Sequence, residues 1–250
     1  IANMPMPSEV IKECTKLKFI DVAFTGVDHV GLDAAKEKGI KVSNASGYSN
    51  EAVSELVIGM VISIARNLRA VEDRCRAGEG KDGLVGFELK GKTVGIVGLG
   101  KIGSRTAELF NVFGCRVLAT SRTVHPNAPR YVAQVSLEEL LKESDIVVLH
   151  CPVNESTKGL INKDRLALMK KSAMLINVAR GAVVVTEDLA AALNNGDIAA
   201  AGIDVFDKEP PLDLSDPLLN AENCLTPHVA FATKQSMTLR AEIVFDNLRA

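Results

Sequence analysis

The sequence predicts an α/β protein whose larger part is a doubly wound parallel sheet, preceded by a second, smaller α/β unit. Three observations support this fold class. From Gly91 onward, short apolar runs alternate with segments of helical periodicity. Some of these runs, such as 145–149, are almost continuously apolar, which is typical of parallel strands covered on both faces. The chain has 250 residues, of which 47% are hydrophobic, so two units with cores of their own can form.

The larger unit is predicted to begin with the short apolar strand Thr93–Val97. A helix over 101–113 follows and ends at Gly114, because glycine suits the left-handed residue that closes many helices. Ser136 is expected to cap a later helix, with Glu139 three residues on. The remaining predicted elements are strands at 115–120, 145–149, 173–177 and 199–205 and helices at 137–142, 163–169 and 187–193.

The smaller unit is predicted from strands at 19–24 and 41–43, with a helix over 32–38 that ends at Gly39. One long helix is predicted over 51–76, and the segment 77–86, which contains four glycines, is the expected hinge. The last helix, 234–248, has no strand after it and is expected to pack against the smaller unit. The predicted division of the chain is therefore 1–85, 86–228 and 229–250.

Composition excludes several classes of function. The formal net charge is −2 and no long basic run occurs, which argues against a nucleic-acid-binding surface. No apolar stretch is long enough to span a bilayer. The five cysteines are scattered and include no Cys-x-x-Cys pair, so we expect free thiols in the reducing cytoplasm. No pattern with metal-ligand spacing is present, and no metal site is expected.

A Gly-x-Gly-x-x-Gly pattern at 98–103 directly follows the first strand of the larger unit and opens its first helix. This context predicts a dinucleotide-binding turn. Gly98 allows the tight turn, Gly100 lets the backbone approach a pyrophosphate, and Gly103 lets the helix lie close to the sheet. The helix N-terminus then offers free N–H groups to the phosphates. A glycine-rich turn without a ligand is the alternative.

The end of the second strand predicts which dinucleotide is bound. NAD sites usually place a carboxylate there, about 20 residues after the glycines, where it binds the ribose 2′-hydroxyl. This chain has Ser121 at that position, followed by Arg122 and Thr123, and no carboxylate. Arg122 can pair with a 2′-phosphate, assisted by the two hydroxyls. NADP is therefore favoured, and NAD remains possible if Arg122 points into solvent.

Three side chains predict acid–base chemistry on a carboxylate-bearing substrate. Arg180 follows the apolar strand Met174–Asn177, at the carboxyl end where ligands lie in open α/β sheets. Its planar guanidinium suits a carboxylate and an adjacent carbonyl oxygen. His228 is the residue type that most often transfers protons near neutral pH, and a nearby Glu209 would orient its ring and stabilise its protonated form. Taken singly, each could be a surface or loop residue.

Four motifs that contain these residues occur in a fixed order along the chain. They are Gly98-Leu99-Gly100-Lys101-Ile102-Gly103, Asn177-Val178-Ala179-Arg180-Gly181, Gly202-Ile203-Asp204-Val205-Phe206 running on to Glu209, and Thr226-Pro227-His228. In this order they resemble the D-isomer-specific 2-hydroxyacid dehydrogenase family, and the resemblance covers essentially the whole chain. It implies a Rossmann-type dinucleotide-binding domain at 86–228 and a flavodoxin-like substrate domain at 1–85, to which 229–250 returns. Because the chain opens on Ile1-Ala2-Asn3, the substrate domain is expected to be N-terminally incomplete.

The resemblance also implies site residues. Arg180, Glu209 and His228 are the expected catalytic residues. Thr25 and Gly26, in a loop whose backbone N–H groups meet the substrate carboxylate, are expected to bind substrate together with Arg180 and His228. The expected cofactor-binding residues are Gly98, Gly100, Lys101, Ile102, Gly103, Ser121, Arg122, Thr123, Cys151, Pro152, Thr157, Val178, Ala179, Arg180, Asp204, His228 and Ala230. Asp204 is expected to face the nicotinamide end, with a structural cap as the alternative. For His150 the backbone, and not the ring, is expected to contribute to the cofactor wall.

The implied activity is reversible, NAD(P)H-dependent reduction of a 2-oxoacid to a D-2-hydroxyacid by a homodimer. Segment 46–48 resembles glyoxylate and hydroxypyruvate reductases, which favours small unphosphorylated substrates. Phosphoglycerate dehydrogenases can carry a phosphate-binding arginine in the loop that corresponds to 3–7, and this chain has none there. Such a dehydrogenase is one alternative. The other is a dinucleotide-sensing corepressor, which is disfavoured because no long basic or disordered extension is present.

Overall fold

The computed structural model describes residues 3–209, 212–221 and 223–249 of the chain. These residues form two compact units. The larger unit contains the described residues of 53–230, and the smaller unit contains those of 3–52 and 231–249. The larger unit is a parallel sheet with apolar clusters on both faces, which confirms the predicted α/β class.

The helices and strands are defined here in chain order. They are α1 (Ser8–Glu13), β1 (Phe19–Val22), α2 (Leu32–Glu37), β2 (Lys41–Asn44), α3 (Asn50–Ala65), α4 (Leu68–Arg76), β3 (Thr93–Val97), α5 (Lys101–Val112), β4 (Arg116–Thr120), β5 (Val132–Gln134), α6 (Leu137–Glu143), β6 (Ile146–Leu149), α7 (Lys163–Leu166), β7 (Met174–Asn177), α8 (Thr186–Asn194), β8 (Ala200–Ile203), β9 (Asn223–Leu225) and α9 (Lys234–Arg249). Short 3₁₀ helices lie at Gly181–Val183 and Pro217–Asn220.

The larger unit has a seven-stranded parallel sheet in the order β5-β4-β3-β6-β7-β8-β9. The strand order reverses beside β3, whose two neighbours are β4 and β6. All six pairings are parallel, so the loops after these strands lie along one edge of the sheet. Ligands of open α/β sheets bind at this carboxyl edge, beside the strand at which the order reverses.

Alternation along the strands assigns the two faces of this sheet. In β6, Val147 and Leu149 pack with one apolar cluster, whereas Ile146 and Val148 pack with the other. Residues of α6, α7 and α8 complete the first cluster. Residues of α5 and of the part of α3 after residue 56 complete the second. The continuous apolar runs in the sequence therefore arise because both faces are covered.

The smaller unit is built on the parallel pair β1 and β2. Helices α1 and α2 supply Ile11, Ala34 and Ala35 to an apolar core with the strands. On α9, Val244 packs with Ala45, which follows β2. The C-terminal helix thus lies in the smaller unit, where it contacts both strands.

The structure differs from the sequence predictions at a few places. The single helix predicted over 51–76 is wrong, because α3 ends at Ala65 and Asn67 has a left-handed φ of 50° before α4 begins. A left-handed residue cannot continue a right-handed helix. The short elements α1, β5 and β9 were not predicted. The compact units divide at residues 52 and 230, whereas the functional division at 85 and 228 stays a prediction.

Candidate active site

The turn at 98–103 has the backbone geometry that the sequence predicts for a dinucleotide cradle. Gly98 has a φ of 103°, and a Cβ on it would lie 2.8 Å from the backbone N of Cys151. A Cβ on Gly103 would overlap the carbonyl oxygen of Gly98, so the helix approaches the strand as closely as predicted. A Cβ on Gly100 would meet nothing within 4 Å, and α5 begins at the next residue. The backbone here is open to a ligand, which fits a phosphate group at the helix N-terminus.

The loop after β4 carries Ser121, Arg122 and Thr123. The Ser121 hydroxyl donates a hydrogen bond to the carbonyl oxygen of Thr123 at 2.7 Å, which closes a small turn. Arg122 is exposed, and no acceptor among the described residues pairs with its guanidinium. This loop follows the strand that pairs with β3, on the side of β3 opposite to β6.

Arg180 lies just after β7, in extended backbone with a φ of −149°, before the 3₁₀ helix. Asn177 fixes this segment, since its side-chain amide donates to the Arg180 carbonyl at 3.0 Å and its Oδ1 accepts from the Ala179 N–H at 3.1 Å. The Arg180 guanidinium donates to the Ala179 carbonyl at 2.7 Å. A Cβ on Gly181 would overlap the backbone of Phe206, so this glycine permits the close approach of the loop after β8.

Glu209 and His228 are in contact, as predicted from their types. The Nδ1 atom of His228 and Oε2 of Glu209 form a short hydrogen bond, which is an ion pair when the imidazole is protonated. The other carboxylate oxygen, Oε1, accepts from the backbone N–H of Phe206. A carboxylate held at both oxygens fixes the orientation of the ring and selects the tautomer with the proton on Nδ1 when the ring is neutral.

Asp204 holds the loop that carries His228. Its buried carboxylate accepts hydrogen bonds from the Thr226 hydroxyl at 2.6 Å, from Val229 N at 2.9 Å and from Ala230 N at 3.0 Å. Its carbonyl accepts from His228 N at 2.7 Å. His228 itself has a left-handed φ of 54°. The expected contact of Asp204 with the nicotinamide end stays a prediction, whereas the structural alternative matches these bonds.

Sequence reasoning missed a polar chain beside the glycine turn. The His150 ring is bonded through Nε2 to the Thr106 hydroxyl at 2.9 Å. That hydroxyl donates to Ser54 Oγ, whose own hydroxyl donates to the Ile102 carbonyl, both at 3.3 Å. Part of His150 remains accessible to solvent, but burial of its ring lowers the pKa to about 3. Because Thr106 gives its one hydroxyl proton to Ser54, it accepts the bond from Nε2, and the neutral ring carries its proton there. No periodicity or spacing in the sequence indicates this chain of bonds.

The remaining predicted cofactor residues follow the same edge of the sheet. Cys151 is buried, and burial raises the pKa of its thiol to about 11, so it remains protonated at neutral pH. The Thr157 hydroxyl donates to the Pro152 carbonyl at 2.6 Å. Val178 and Ala179 follow β7, and Lys101 and Ile102 open α5. These positions agree with a wall along the carboxyl edge, although their contacts with a cofactor stay predictions.

In the smaller unit, Thr25 and Gly26 follow β1 in an irregular loop. The side-chain amide of Asn44, at the end of β2, donates to the Thr25 carbonyl at 2.7 Å. This bond ties the loop to the neighbouring strand. The carboxyl end of the two-stranded sheet therefore carries the predicted substrate loop.

Within the part of the chain that the structure describes, no helix has the length and apolar character needed to cross a bilayer. Among the same residues, no cluster of histidine, cysteine and carboxylate side chains could hold a metal ion. Cys14, Cys75, Cys115 and Cys151 are free thiols, while the side chain of Cys224 lies outside the described set.

Comparisons with known proteins agree on one family. Residues 58–230 match the family described as D-isomer specific 2-hydroxyacid dehydrogenase, NAD binding domain. The chain is 36% identical over 253 residues to a hydroxypyruvate reductase of Blautia hydrogenotrophica. The match covers 98% of this chain and 78% of that protein.

Solved structures of other proteins have a fold similar to that of this chain. A D-lactate dehydrogenase of Aquifex aeolicus, complexed with NAD and lactic acid, has a TM-score of 0.91 and 32% identity, and the match covers 98% of this chain and 79% of that chain. An acyclic imino acid reductase in complex with NADPH and D-Arg has a TM-score of 0.92 and 28% identity, with the same coverage of both chains.

Proposed function

Because this chain belongs to the D-isomer-specific 2-hydroxyacid dehydrogenase family, we propose that it reduces small 2-oxoacids of the glyoxylate and hydroxypyruvate type. It is an NAD(P)-dependent oxidoreductase that acts on the CH–OH group of D-2-hydroxyacids. The 36% identity to a hydroxypyruvate reductase supports the substrate size. The observation that carries the proposal is the fixed pair of Glu209 and His228 in the loop held by Asp204.

In this proposal His228 is the general acid. Glu209 binds Nδ1 and stabilises the imidazolium, so the proton that moves is the one on Nε2. His228 donates this proton to the oxygen on C2 as that oxygen becomes an alkoxide, and takes it back in the oxidation of the hydroxyacid. The open turn at Gly100 would hold the pyrophosphate of the dinucleotide, whose nicotinamide would supply or accept the hydride when bound.

Arg180 and the smaller unit bind the substrate carboxylate in the same proposal. The guanidinium of Arg180 pairs with the carboxylate and the C2 oxygen, and it stabilises the charge that develops on that oxygen. The backbone N–H groups of Thr25 and Gly26 bind the carboxylate. The bond from Asn44 to the Thr25 carbonyl supports this role, because it orients the peptide group next to Gly26.

NADPH is proposed as the preferred cofactor. Ser121 leaves no carboxylate to repel a 2′-phosphate, and Arg122 is exposed without an acceptor among the described residues. A charge-assisted hydrogen bond contributes about 1.5–3 kcal/mol, which corresponds to a preference of about 10- to 150-fold. The solved relatives include one NADPH complex and one NAD complex, so the comparison of kcat/KM for the two cofactors decides the preference.

We extend the proposal to a cytoplasmic homodimer. The four free thiols among the described cysteines support a reducing compartment. The dimer rests on family resemblance alone, and sedimentation of the purified protein tests it.

The experiment that tests the proposed reaction combines a substrate panel with one variant. Glyoxylate, hydroxypyruvate and pyruvate are offered with NADPH or NADH, and nicotinamide absorbance is followed. His228→Asn should lower kcat by about 10²–10⁴-fold, because a positioned general acid contributes that much. Its Kd for NADPH should stay within about 3-fold of the unmutated value, which would show that the variant is folded.

Two outcomes would contradict the proposal. Near-normal turnover by His228→Asn would remove His228 from the mechanism, and cofactor binding by the unmutated protein without reduction of any 2-oxoacid would favour a sensing protein.

A further inference from the structure

An arginine in the smaller unit lies beside three aromatic rings and has no anionic partner among the described residues. The Cζ atom of Arg240, on α9, lies 5.3 Å from the ring centre of Phe24, 5.8 Å from that of Tyr48 and 5.9 Å from that of Phe231. Phe231 meets the rings of Phe24 and Tyr48 edge-on, with centroid distances of 6.1 and 6.3 Å. The three rings and Arg240 therefore form one packed cluster.

The guanidinium of Arg240 makes no hydrogen bond or ion pair with any described residue. Aromatic faces stabilise the charge of a guanidinium but accept none of its five N–H donors in the guanidinium plane. Arg240 is partly exposed, so these donors have access to solvent or to a ligand. A planar anion such as a carboxylate, or a phosphate group, matches this fork with two parallel hydrogen bonds.

The cluster lies where the smaller sheet would bind a ligand. Phe24 follows β1 and directly precedes Thr25 and Gly26, and Tyr48 lies in the segment after β2. Asn247, two turns further along α9, donates to Asp21 Oδ1 on β1 at 3.1 Å and to the Asn44 carbonyl at 3.2 Å. These bonds fix α9 against the strands. Arg240 is thus anchored beside the loop that is proposed to hold the substrate carboxylate, at the carboxyl ends of parallel strands.

We propose that Arg240 forms a second anion-binding subsite, which selects 2-oxoacids that carry a further carboxylate or phosphate group on the carbon chain beyond C2. This inference rests on the proposed function, because it takes Thr25 and Gly26 as the site of the first carboxylate. The segment 3–7 carries no arginine for such a group, but Arg240 supplies the cation from a different element. A substrate without a second anionic group, such as hydroxypyruvate, still binds through its one carboxylate and leaves Arg240 without an anion.

The test uses matched substrates that differ in the second anionic group. One pair is 2-oxoglutarate and 2-oxopentanoate, and the other is 3-phosphohydroxypyruvate and hydroxypyruvate. The unmutated enzyme should have a higher kcat/KM for the member with the second anionic group in at least one pair, by about 10-fold or more. The pair that shows the preference identifies the second group as a carboxylate or as a phosphate.

Arg240→Met is the decisive variant, because methionine keeps an unbranched apolar stem among the rings and removes the charge. It should abolish the preference for the member with the second anionic group and change kcat/KM for the other member by less than about 3-fold. Arg240→Lys keeps the charge but lacks the fork, so it should retain part of the preference. If Arg240→Met does not fold, as judged by its thermal melt, Arg240→Lys and Arg240→Gln give the same comparison.

The possible outcomes separate this inference from the proposed function. If no 2-oxoacid is reduced, the proposed function fails, and the subsite fails with it. If 2-oxoacids with a single carboxylate are reduced but neither pair shows a preference, the subsite alone is wrong. Equal losses for both members of a pair in Arg240→Met and Arg240→Lys would show that Arg240 only packs the rings.

Discussion

The loop of His228 and the cluster around Arg240 both lie at the carboxyl ends of parallel strands, in different units. They differ in whether their charged groups are hydrogen-bonded to other described residues. Around His228, the Asp204 carboxylate accepts three hydrogen bonds, and both Glu209 oxygens are occupied. Around Arg240, the cation meets three aromatic faces and no acceptor among the described residues.

This difference follows from what each group has to do. A general acid works only when it already points at the reacting oxygen, so bonds made before substrate arrives increase the rate. His228 has a left-handed backbone that costs about 1–2 kcal/mol for a non-glycine residue, and only surrounding bonds can maintain it. A recognition group needs its hydrogen-bonding capacity for the ligand. Its binding is strongest when no protein group competes for the same donors.

The largest expected effect comes from breaking the support of the His228 loop. Asp204→Asn replaces an oxygen that accepts backbone N–H bonds with an amide whose NH₂ group cannot accept them. The free energy of unfolding should fall by about 2–4 kcal/mol, because buried donors lose their acceptor. The value of kcat should fall by about 10- to 100-fold as His228 moves from its position. Urea unfolding and steady-state kinetics measure the two effects.

Thr226→Val is the matched control for this loop. It removes one donor to Asp204 but leaves the bonds from Val229 N and Ala230 N in place. The expected loss is about 1 kcal/mol of stability. If Asp204→Asn has the kcat and stability of the unmutated enzyme, then Asp204 does not hold the loop, and the contrast with Arg240 disappears.

A second hydrogen-bonded group in the larger unit, the buried ring of His150, gives a pH-dependent effect. Burial lowers the pKa of His150 to about 3, whereas an unfolded histidine has a pKa of about 6.5. The unfolded chain therefore binds a proton that the folded chain does not, below about pH 6.5. The stability associated with neutral His150 is complete above that pH and is lost as the pH falls toward 3. Between pH 7 and pH 5 this loss is about 2 kcal/mol.

His150→Gln should remove this component of the pH dependence, since glutamine does not titrate and its amide can still bond to Thr106. Urea unfolding of the variant and the unmutated protein at pH 7 and pH 5 gives the difference. Thr106→Val is the control, because it weakens the fold at both pH values but keeps the titrating ring. Equal pH dependence in His150→Gln and the unmutated chain would show that the pKa of His150 is the same in the folded and the unfolded state.

The parts of the molecule that the sequence predicted are those that depend on local pattern. The buried strands of the larger sheet, the glycine turn and the Ser136 cap, where Glu139 N donates to Ser136 Oγ at 3.2 Å, each follow from neighbouring residues. The helix break at Asn67 was not predicted, because a single left-handed residue leaves the apolar periodicity of the flanking turns unchanged.

Contacts between distant elements were beyond sequence reasoning. Thr106 and His150 are 44 residues apart, and Ser54 and Thr106 are 52 apart, so nothing in either local sequence links them. In the sequence, Arg240 is one charged residue in a helical segment, and only the fold shows that three aromatic rings lie beside it. The role of Asp204 in holding the loop likewise depends on the adjacency of β8 and β9. Tertiary contacts therefore decide which polar side chains are hydrogen-bonded within the protein and which are left available to a ligand.

The smallest expected effect concerns a polar group in the larger unit that does not follow the pattern around Asp204. Ser144 ends α6 and is completely buried, yet its hydroxyl has no hydrogen-bond partner among the described residues. It lies against Gly95, where a Cβ would overlap both Ser144 and Leu140. An unbonded buried hydroxyl lowers stability, while its removal leaves a gap of only one atom. Ser144→Ala should therefore raise the free energy of unfolding by about 0.5–1 kcal/mol without changing kcat.

Thr106→Val is the matched comparison, because it deletes a hydroxyl of similar burial that is hydrogen-bonded. It should lower the free energy of unfolding by about 1–2 kcal/mol. Urea unfolding of both variants at pH 7 makes the comparison, and a loss of more than about 1 kcal/mol in Ser144→Ala would mean that its hydroxyl is bonded after all.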